Sequence, residues 1–316
     1  KDPRGDPWLW FYEDFLEAYD PDARRNAGVY YTPVPVVDCI VRLVEHVLTE
    51  RFGLRMGFGD DRVVTLDPAV GTGTFPLAVL GHAAERAEAE RGAAGPSQVA
   101  QGLSERLYGF EILPGPFAVA HLRVGERLQD LGAELSAGGA QILLADTLDS
   151  PSEDESAPQL ALFGAAEVLS EERRRARRIK REQRVMAIVG NPPYDRVRRE
   201  DAGGWVVHGD RDGKPALFDD VLKTANERTI FSHVASLYNL YAYFWRWAIW
   251  KAFEQHGDGP AVIGFITGSS WLAAPGFVGL RELARDLCDE IWVVDLGGDN
   301  RGANPEDNVF AIESPV

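Results

Sequence analysis

RVVTLDPAVGTGTFPLAVLGHAAERAEAE, residues 62–90, decides the fold. Arg62 to Leu66 is short, apolar and rich in β-branched side chains, which predicts a buried strand. It runs into the glycine-rich turn of residues 67–75 and then into a long Ala/Leu-rich helix. A strand that enters a helix through a glycine turn is a unit of a parallel α/β sheet.

The same alternation continues on both sides. RLYGFEI (106–112) reads as a second strand, followed by a helix from Pro116 to about residue 131. QILLA (141–145) reads as a third strand, ending at Asp146, and Val185 to Val189 as a fourth, running into GNPPY (190–194). AVIGFITG (261–268) predicts a fifth strand, RELARDLCDE (281–290) a helix, IWVVDLGG (291–298) a sixth strand and NVFAI (308–312) the start of a seventh. Upstream, WLWFYEDFLEAY (8–19) has helical spacing and stops at Pro21. Val36, Val37, Ile40, Val41, Leu43, Val44 and Val47 form the apolar stripe of another helix, with Thr32 as its expected N-cap and Pro33 at its first position. Residues 195–232 are polar and Gly-rich and predict a long loop with short helices, and residues 237–254 a strongly aromatic helix. The pattern implies a mainly parallel, doubly wound α/β sheet. Residues 1–60 form a helical segment ahead of a core at 61–316, which carries a charged insertion at about 150–184, exposed over 150–172, and a loop region at about 195–235 that would face a substrate.

Composition narrows the class. The 316 residues are 45% hydrophobic and 26% charged, which excludes a disordered, collagenous or coiled-coil chain. Cys39 and Cys288 have neither CxxC nor Cys/His spacing, so no metal site or disulfide is expected and a reducing compartment fits. The six histidines are scattered and none is assigned a catalytic or metal role. No run reaches the about 18 apolar residues of a membrane helix, and no basic-then-apolar leader is read, so a cytoplasmic location is expected. Lys1 and Val316 fall in mid-pattern, and the chain reads as a piece of a longer protein. A net charge of −16 argues against a surface that coats nucleic acid. The exception is RRRARRIKREQR, Arg173 to Arg184, preceded by Glu153, Asp154, Glu155, Glu167, Glu171 and Glu172. It reads as a solvated helix with internal ion pairs or as a face for DNA phosphates or a partner, and the second is the expectation carried forward.

In doubly wound sheets, ligands bind outside the carboxyl ends of the strands. Here four successive strands end in Asp67-Pro68-Ala69, Glu111, Asp146 and Asn191-Pro192-Pro193-Tyr194. Gly71 and Gly73 let a ligand approach the backbone, and the helix after them offers free N–H groups. The spacing is neither GxGxxG nor a P-loop, so dinucleotide and nucleoside triphosphate readings lose ground. Glu111 can accept both hydroxyls of a ribose. Asp146 can accept an exocyclic adenine amine, with Ile112 beside it, although alone it is equally a helix N-cap. Together they describe a pocket for an adenosine-containing ligand that needs no phosphate. In GNPPY the two prolines stiffen the turn and remove two backbone donors. The Asn191 side-chain oxygen and the preceding carbonyls can then accept from an amine, and Tyr194 offers a ring face.

DPAVGTGTF, GFEI, ADTL and GNPPY, in this order and preceded by GVYYTP, resemble the motifs of gamma-class, amino-methylating DNA methyltransferases. NLYAYFWRWAIWKAFE and FITGSSWL are further similar to the methyltransferase part of type ISP restriction-modification enzymes and of related phage-defence methylases. The resemblance implies a Rossmann-like fold, S-adenosylmethionine as cofactor, and transfer of its methyl group to adenine N6 in duplex DNA. It implies cofactor contacts at Tyr31, Thr32, Asp67, Ala69, Gly71, Gly73, Thr74, Phe75, Glu111, Ile112, Asp146, Thr147 and Asn191, and catalysis by Asn191, Pro192, Pro193 and Tyr194. The adenine would leave the stack, its N6 amine bonded to Asn191 and the Pro192 carbonyl, its ring on Tyr194. The stretch between ADTL and GNPPY departs from the minimal pattern, and target recognition, nuclease or translocase functions would come from further domains or subunits. Methylation of a protein glutamine, of cytosine N4, or an inactive nucleic-acid-binding scaffold remain as alternatives. Intact Asn191, Tyr194, Asp67 and Glu111 count against the scaffold.

Overall fold

The computed structural model describes residues 32–152, 164–194, 204–209, 213, 215–228, 231–257 and 259–296. The expected helix at 8–19, Tyr31, residues 297–298 and the NVFAI strand lie outside them.

Helix α1 (Val34–His46) buries Val36, Val37, Val41 and Val44, and a wider turn over Val47–Arg51 continues it. Its N-cap is Pro33, with no side-chain cap bond, so Thr32 does not have the capping role expected of it. The Thr32 hydroxyl is taken by Asn191 instead. Strand β1 (Thr65–Asp67) leads through the glycine turn into α2 (Thr74–Arg91). It is shorter than expected because Arg62 is drawn into a turn, with its backbone N–H and guanidinium both on Asp60. A helix not separated by the sequence reading, α3 (Gly95–Arg106), follows, begun by Pro96 in its first turn. Then come β2 (Leu107–Glu111), α4 (Pro114–Asp130), β3 (Ile142–Leu144), α5 (Gly164–Glu182) and β4 (Ala187–Gly190). Two short helices, α6 (Gly204–His208) and α7 (Asp219–Glu227), lie within the expected loop region. The aromatic helix α8 (Leu240–Ile249) widens over Trp250–Glu254 and leads to β5 (Val262–Phe265), α9 (Ser270–Ala273) and α10 (Val278–Leu287).

All five strands are parallel, in the order β3-β2-β1-β4-β5. The chain steps outward from β1 to β3, then crosses back to place β4 on the other side of β1. That reversal between β1 and β4 is the topological switch point, beside which ligands bind in sheets of this kind, outside the carboxyl ends of the strands. Leu66, Ala187, Ile188 and Val189 are fully buried there, and a buried Leu, Ile or Val contributes about 1.5–3 kcal/mol. Gly264 lets α1 lie close on β5: a Cβ there would sit 2.8 Å from Ile40 and Val44.

Two expectations fail for physical reasons. Residues 291–296 form no ladder, and Ile291, Trp292, Val293 and Val294 are exposed. Arg51 holds Glu290 at 3.0 Å and Trp292 lies 5.9 Å from the His46 ring, so the segment follows the end of α1 rather than an edge of the sheet. Nor is the charged stretch wholly an exposed insertion. Ser150 and Pro151 are buried, and α5 starts at Gly164 and turns Ala176, Ile179 and Lys180 into the protein.

Candidate active site

At the end of β1 the Asp67 side chain is 1% exposed. Its Oδ1 accepts the Ala69 N–H at 3.0 Å, while Oδ2 has no partner among the described residues. Burial, aided by the charge of Glu111, pushes its pKa up to about 8. The end of β4 presses on this carboxylate. A Cβ on Gly190 would lie 2.8 Å from Asp67 Oδ1, so a larger residue there would have to shift the carboxylate.

The glycine turn follows. Gly71 (φ +54°) and Gly73 (φ +90°) are in the left-handed region that favours glycine, and open space faces the Cβ position of Gly71. Thr74 opens α2 half-buried, while the Phe75 side chain turns into the core. Glu111, at the end of β2, clasps the turn from the side. Its Oε2 accepts from the Gly71 N–H at 3.0 Å and its Oε1 from the Leu113 N–H at 2.9 Å. Burial raises the Glu111 pKa, and these backbone donors work against the rise. Ile112, the next residue, is 59% exposed although apolar. Beyond β3, Asp146 Oδ1 accepts the Leu148 N–H at 2.8 Å, and burial together with the charge of Asp149 raises its pKa. Thr147 donates to the Pro68 carbonyl and ties this loop back to β1.

The Asn191 amide, at the end of β4, is held at both ends. Its Nδ2 donates to Thr32 Oγ1 at 3.0 Å, and its Oδ1 accepts from the Tyr194 phenol at 2.8 Å. Pro192 is buried and Pro193 half-buried. Tyr194 is only 8% exposed, so its ring is less open than a stacking platform read from sequence suggests. Burial raises its phenol pKa, which keeps the O–H as a donor. The Tyr194 ring packs on Tyr241 at 5.8 Å, and Asn239 Nδ2 donates to its backbone carbonyl at 2.9 Å. Tyr241 in turn stacks on Phe277 and shares a 2.6 Å hydrogen bond with Ser270. Asn239 and Tyr241 open the NLYAYFWRWAIWKAFE stretch, to which the sequence assigns no site role. The available signal was an Asn directly before the apolar run of α8, an N-cap position.

The structure thus brings Thr32, Asp67, Ala69, Gly71, Gly73, Glu111, Asp146, Thr147 and Asn191–Tyr194 to one edge of the sheet. Within the basic run Arg174 pairs with Glu171, Arg175 with Glu172 and Arg181 with Glu182, all on one helix, and the buried Lys180 donates to the carbonyls of Asp146 and Asp149. Lys180 thus faces the protein and not a phosphate, while Arg173, Arg178 and Arg184 are exposed. Among the described residues, no group of three His, Cys, Asp or Glu could hold a metal ion, and no helix is long and apolar enough to cross a membrane.

A parallel sheet with a glycine turn after β1, acids ending β1 and β2, and Asn-Pro-Pro-Tyr after β4 defines a Rossmann-like methyltransferase. The family model for N-6 DNA methylases matches residues 8–203, more than half of the chain, and the chain belongs to that family. Among solved structures it is similar to a DrdV–DNA complex, at 25% identity and TM-score 0.60 over 87% of this chain and 24% of that one. A nuclease-deletion mutant of the type ISP restriction-modification enzyme LlaGI with a DNA substrate mimic is 25% identical, TM-score 0.61, over 80% of this chain and 22% of that one. The type ISP enzyme LlaBIII bound to DNA, 23% identical with TM-score 0.59 over 80% of this chain and 16% of that one, shares the fold. The chain therefore spans about a quarter or less of these structures. No curated protein matches it.

Proposed function

We propose that this chain methylates the N6 amine of adenine in duplex DNA, using S-adenosylmethionine, within a bacterial restriction-modification or phage-defence system. Family membership and the likeness to DNA-bound restriction-modification enzymes support the substrate class. The observation that carries the reading is the Asn191 amide, fixed on a Pro-Pro turn beside a buried acid at the switch point.

The residues fit the cofactor. Gly71 leaves room above the turn, while Gly73 lets the turn pack on Ala120 and Val124. The Glu111 carboxylate, beside the Gly71 and Leu113 N–H groups it accepts, would take the ribose hydroxyls on its remaining lone pairs, and exposed Ile112 would offer an apolar face for a flat ring. The unpartnered Asp67 Oδ2 suits a cationic group. When bound, S-adenosylmethionine supplies a methyl group made electrophilic by its sulfonium. Asn191 Oδ1 and the Pro192 carbonyl accept the two N6–H bonds and aim the nitrogen lone pair toward the β1 side of the crevice. Positioning carries the rate, and the methylated nitrogen, made strongly acidic, sheds its extra proton to water, so no strong base is required. The Tyr194 O–H that occupies Asn191 Oδ1 yields to the incoming amine, leaving its ring against the extruded base. DNA sequence choice, cleavage and translocation belong to further domains or subunits. The test is transfer of labelled methyl to unmethylated duplex DNA, to RNA and to protein, side by side. The reading expects label on adenine in DNA; label only on protein, or none, overturns it.

A further inference from the structure

Between the Pro-Pro turn and helix α8 runs an unbroken chain of hydrogen bonds. Thr32 accepts from Asn191, Asn191 from Tyr194, and the Tyr194 carbonyl from Asn239. Asn239 is also the N-cap of α8: its Oδ1 accepts the Tyr241 N–H at 3.2 Å, and its extended backbone (φ −142°, ψ 136°) presents its own carbonyl to Ala242 at 3.0 Å. One side chain therefore uses its oxygen to start the helix and its nitrogen to hold the last residue of Asn-Pro-Pro-Tyr. The two tasks need different halves of an amide. Ser or Asp would cap the helix as well as Asn does, but neither an ionised carboxylate nor a short hydroxyl supplies the N–H that meets Tyr194. Tyr241, two residues on, touches the Tyr194 ring from the same helix.

We infer that Asn239 is a positioning residue for methyl transfer: it fixes the Tyr194 backbone, and with it the place of the ring that meets the base. The inference rests on the proposed function above. Rotation of Tyr194 moves both the ring that meets the base and the phenol that meets Asn191. The prolines stiffen the turn from one side only, and Asn239 is the restraint at its other end.

The experiment compares the full chain with Asn239→Asp and Asn239→Ser, using labelled S-adenosylmethionine and duplex DNA from methylation-deficient cells. Both variants keep the cap, so S-adenosylmethionine affinity is expected to stay at the wild-type level and the thermal midpoint to fall only by the loss of the one bond to the Tyr194 carbonyl. The expected result is a kcat lowered about 10- to 100-fold, the cost of displacing a reacting group by a fraction of a side chain. A second readout separates positioning from structure. As pH falls toward the carboxyl range, Asn239→Asp regains an O–H that can reach the Tyr194 carbonyl, so its rate relative to wild type rises, while that of Asn239→Ser stays flat. Wild-type kcat in either folded variant overturns the inference, and so does a lowered kcat in Asn239→Asp whose ratio to wild type ignores pH. If the wild-type chain labels no DNA, the proposed function falls, and the inference with it. If it does, and only these variants behave like wild type, the inference falls alone.

Discussion

The two sides of the crevice are built differently. On the β1–β3 side, Asp67, Glu111 and Asp146 are each held by an N–H two residues ahead: those of Ala69, Leu113 and Leu148. On the β4 side, Asn191 and Tyr194 are held by side chains far away in sequence, Thr32 and Asn239. On the cofactor side each acid has a local anchor, to which Glu111 adds the Gly71 N–H and Thr147 the Pro68 carbonyl. The base side has only its distant supports, so it responds to changes in segments outside Asn-Pro-Pro-Tyr.

The largest effect should come from the base side. Asn191→Ala is expected to lower methyl transfer about a hundredfold or more, the range for losing one preorganised polar group, while calorimetry finds S-adenosylmethionine binding intact. If binding is lost as well, the two sides are not separable. On the cofactor side, Glu111→Ala removes a charged acceptor and should weaken S-adenosylmethionine by about 1.5–3 kcal/mol. Unchanged affinity by calorimetry would take Glu111 out of the site.

A smaller effect comes from protons. Asp67 has its pKa raised to about 8 by burial, so without ligand it is protonated below that pH. A cationic ligand favours the carboxylate, and binding below pH 8 must expel the proton. Affinity for S-adenosylmethionine should therefore climb with pH, by up to about tenfold per unit, and level off above about 8. Asp67→Asn should flatten the profile relative to wild type. The sign for folding is opposite: the raised pKa stabilises the fold below the unfolded value of about 3.8, and this contribution is lost as pH rises through about 8. The smallest effect is expected from Tyr194→Phe. It keeps the ring and deletes only the bond to Asn191 Oδ1, so steady-state rates should change by less than about tenfold, the worth of one neutral hydrogen bond. A larger loss would mean that the phenol, and not the ring, matters in transfer.

The same contrast explains what could be read before folding. The parallel sheet was legible because β1, β2, β3, β4 and β5 are short apolar runs between helical segments. The acids at their ends were legible because a strand places its last residue by its own length. Thr32 reads as an N-cap and, through GVYYTP, as a cofactor contact, and Asn239 opens the NLYAYFWRWAIWKAFE stretch, but nothing near either residue reveals its partner, 159 and 45 residues away. IWVVDL has the composition of a strand, but pairing depends on where the end of α1 leads the chain, which composition does not encode. The arginine run and the acids beside it announced internal ion pairs, while the burial of Lys180 depends on how its helix sits against the sheet.

Gly190 joins the two sides by what it lacks. Its missing methyl is the wall shared by the loop that ends β1 and the loop that follows β4, with Asp67 Oδ1 2.8 Å from where a Cβ would be. That contact makes Gly190 a joint between the halves: a side chain there would press first on the Asp67 carboxylate, so a change made on the base side would reach the cofactor side through that oxygen.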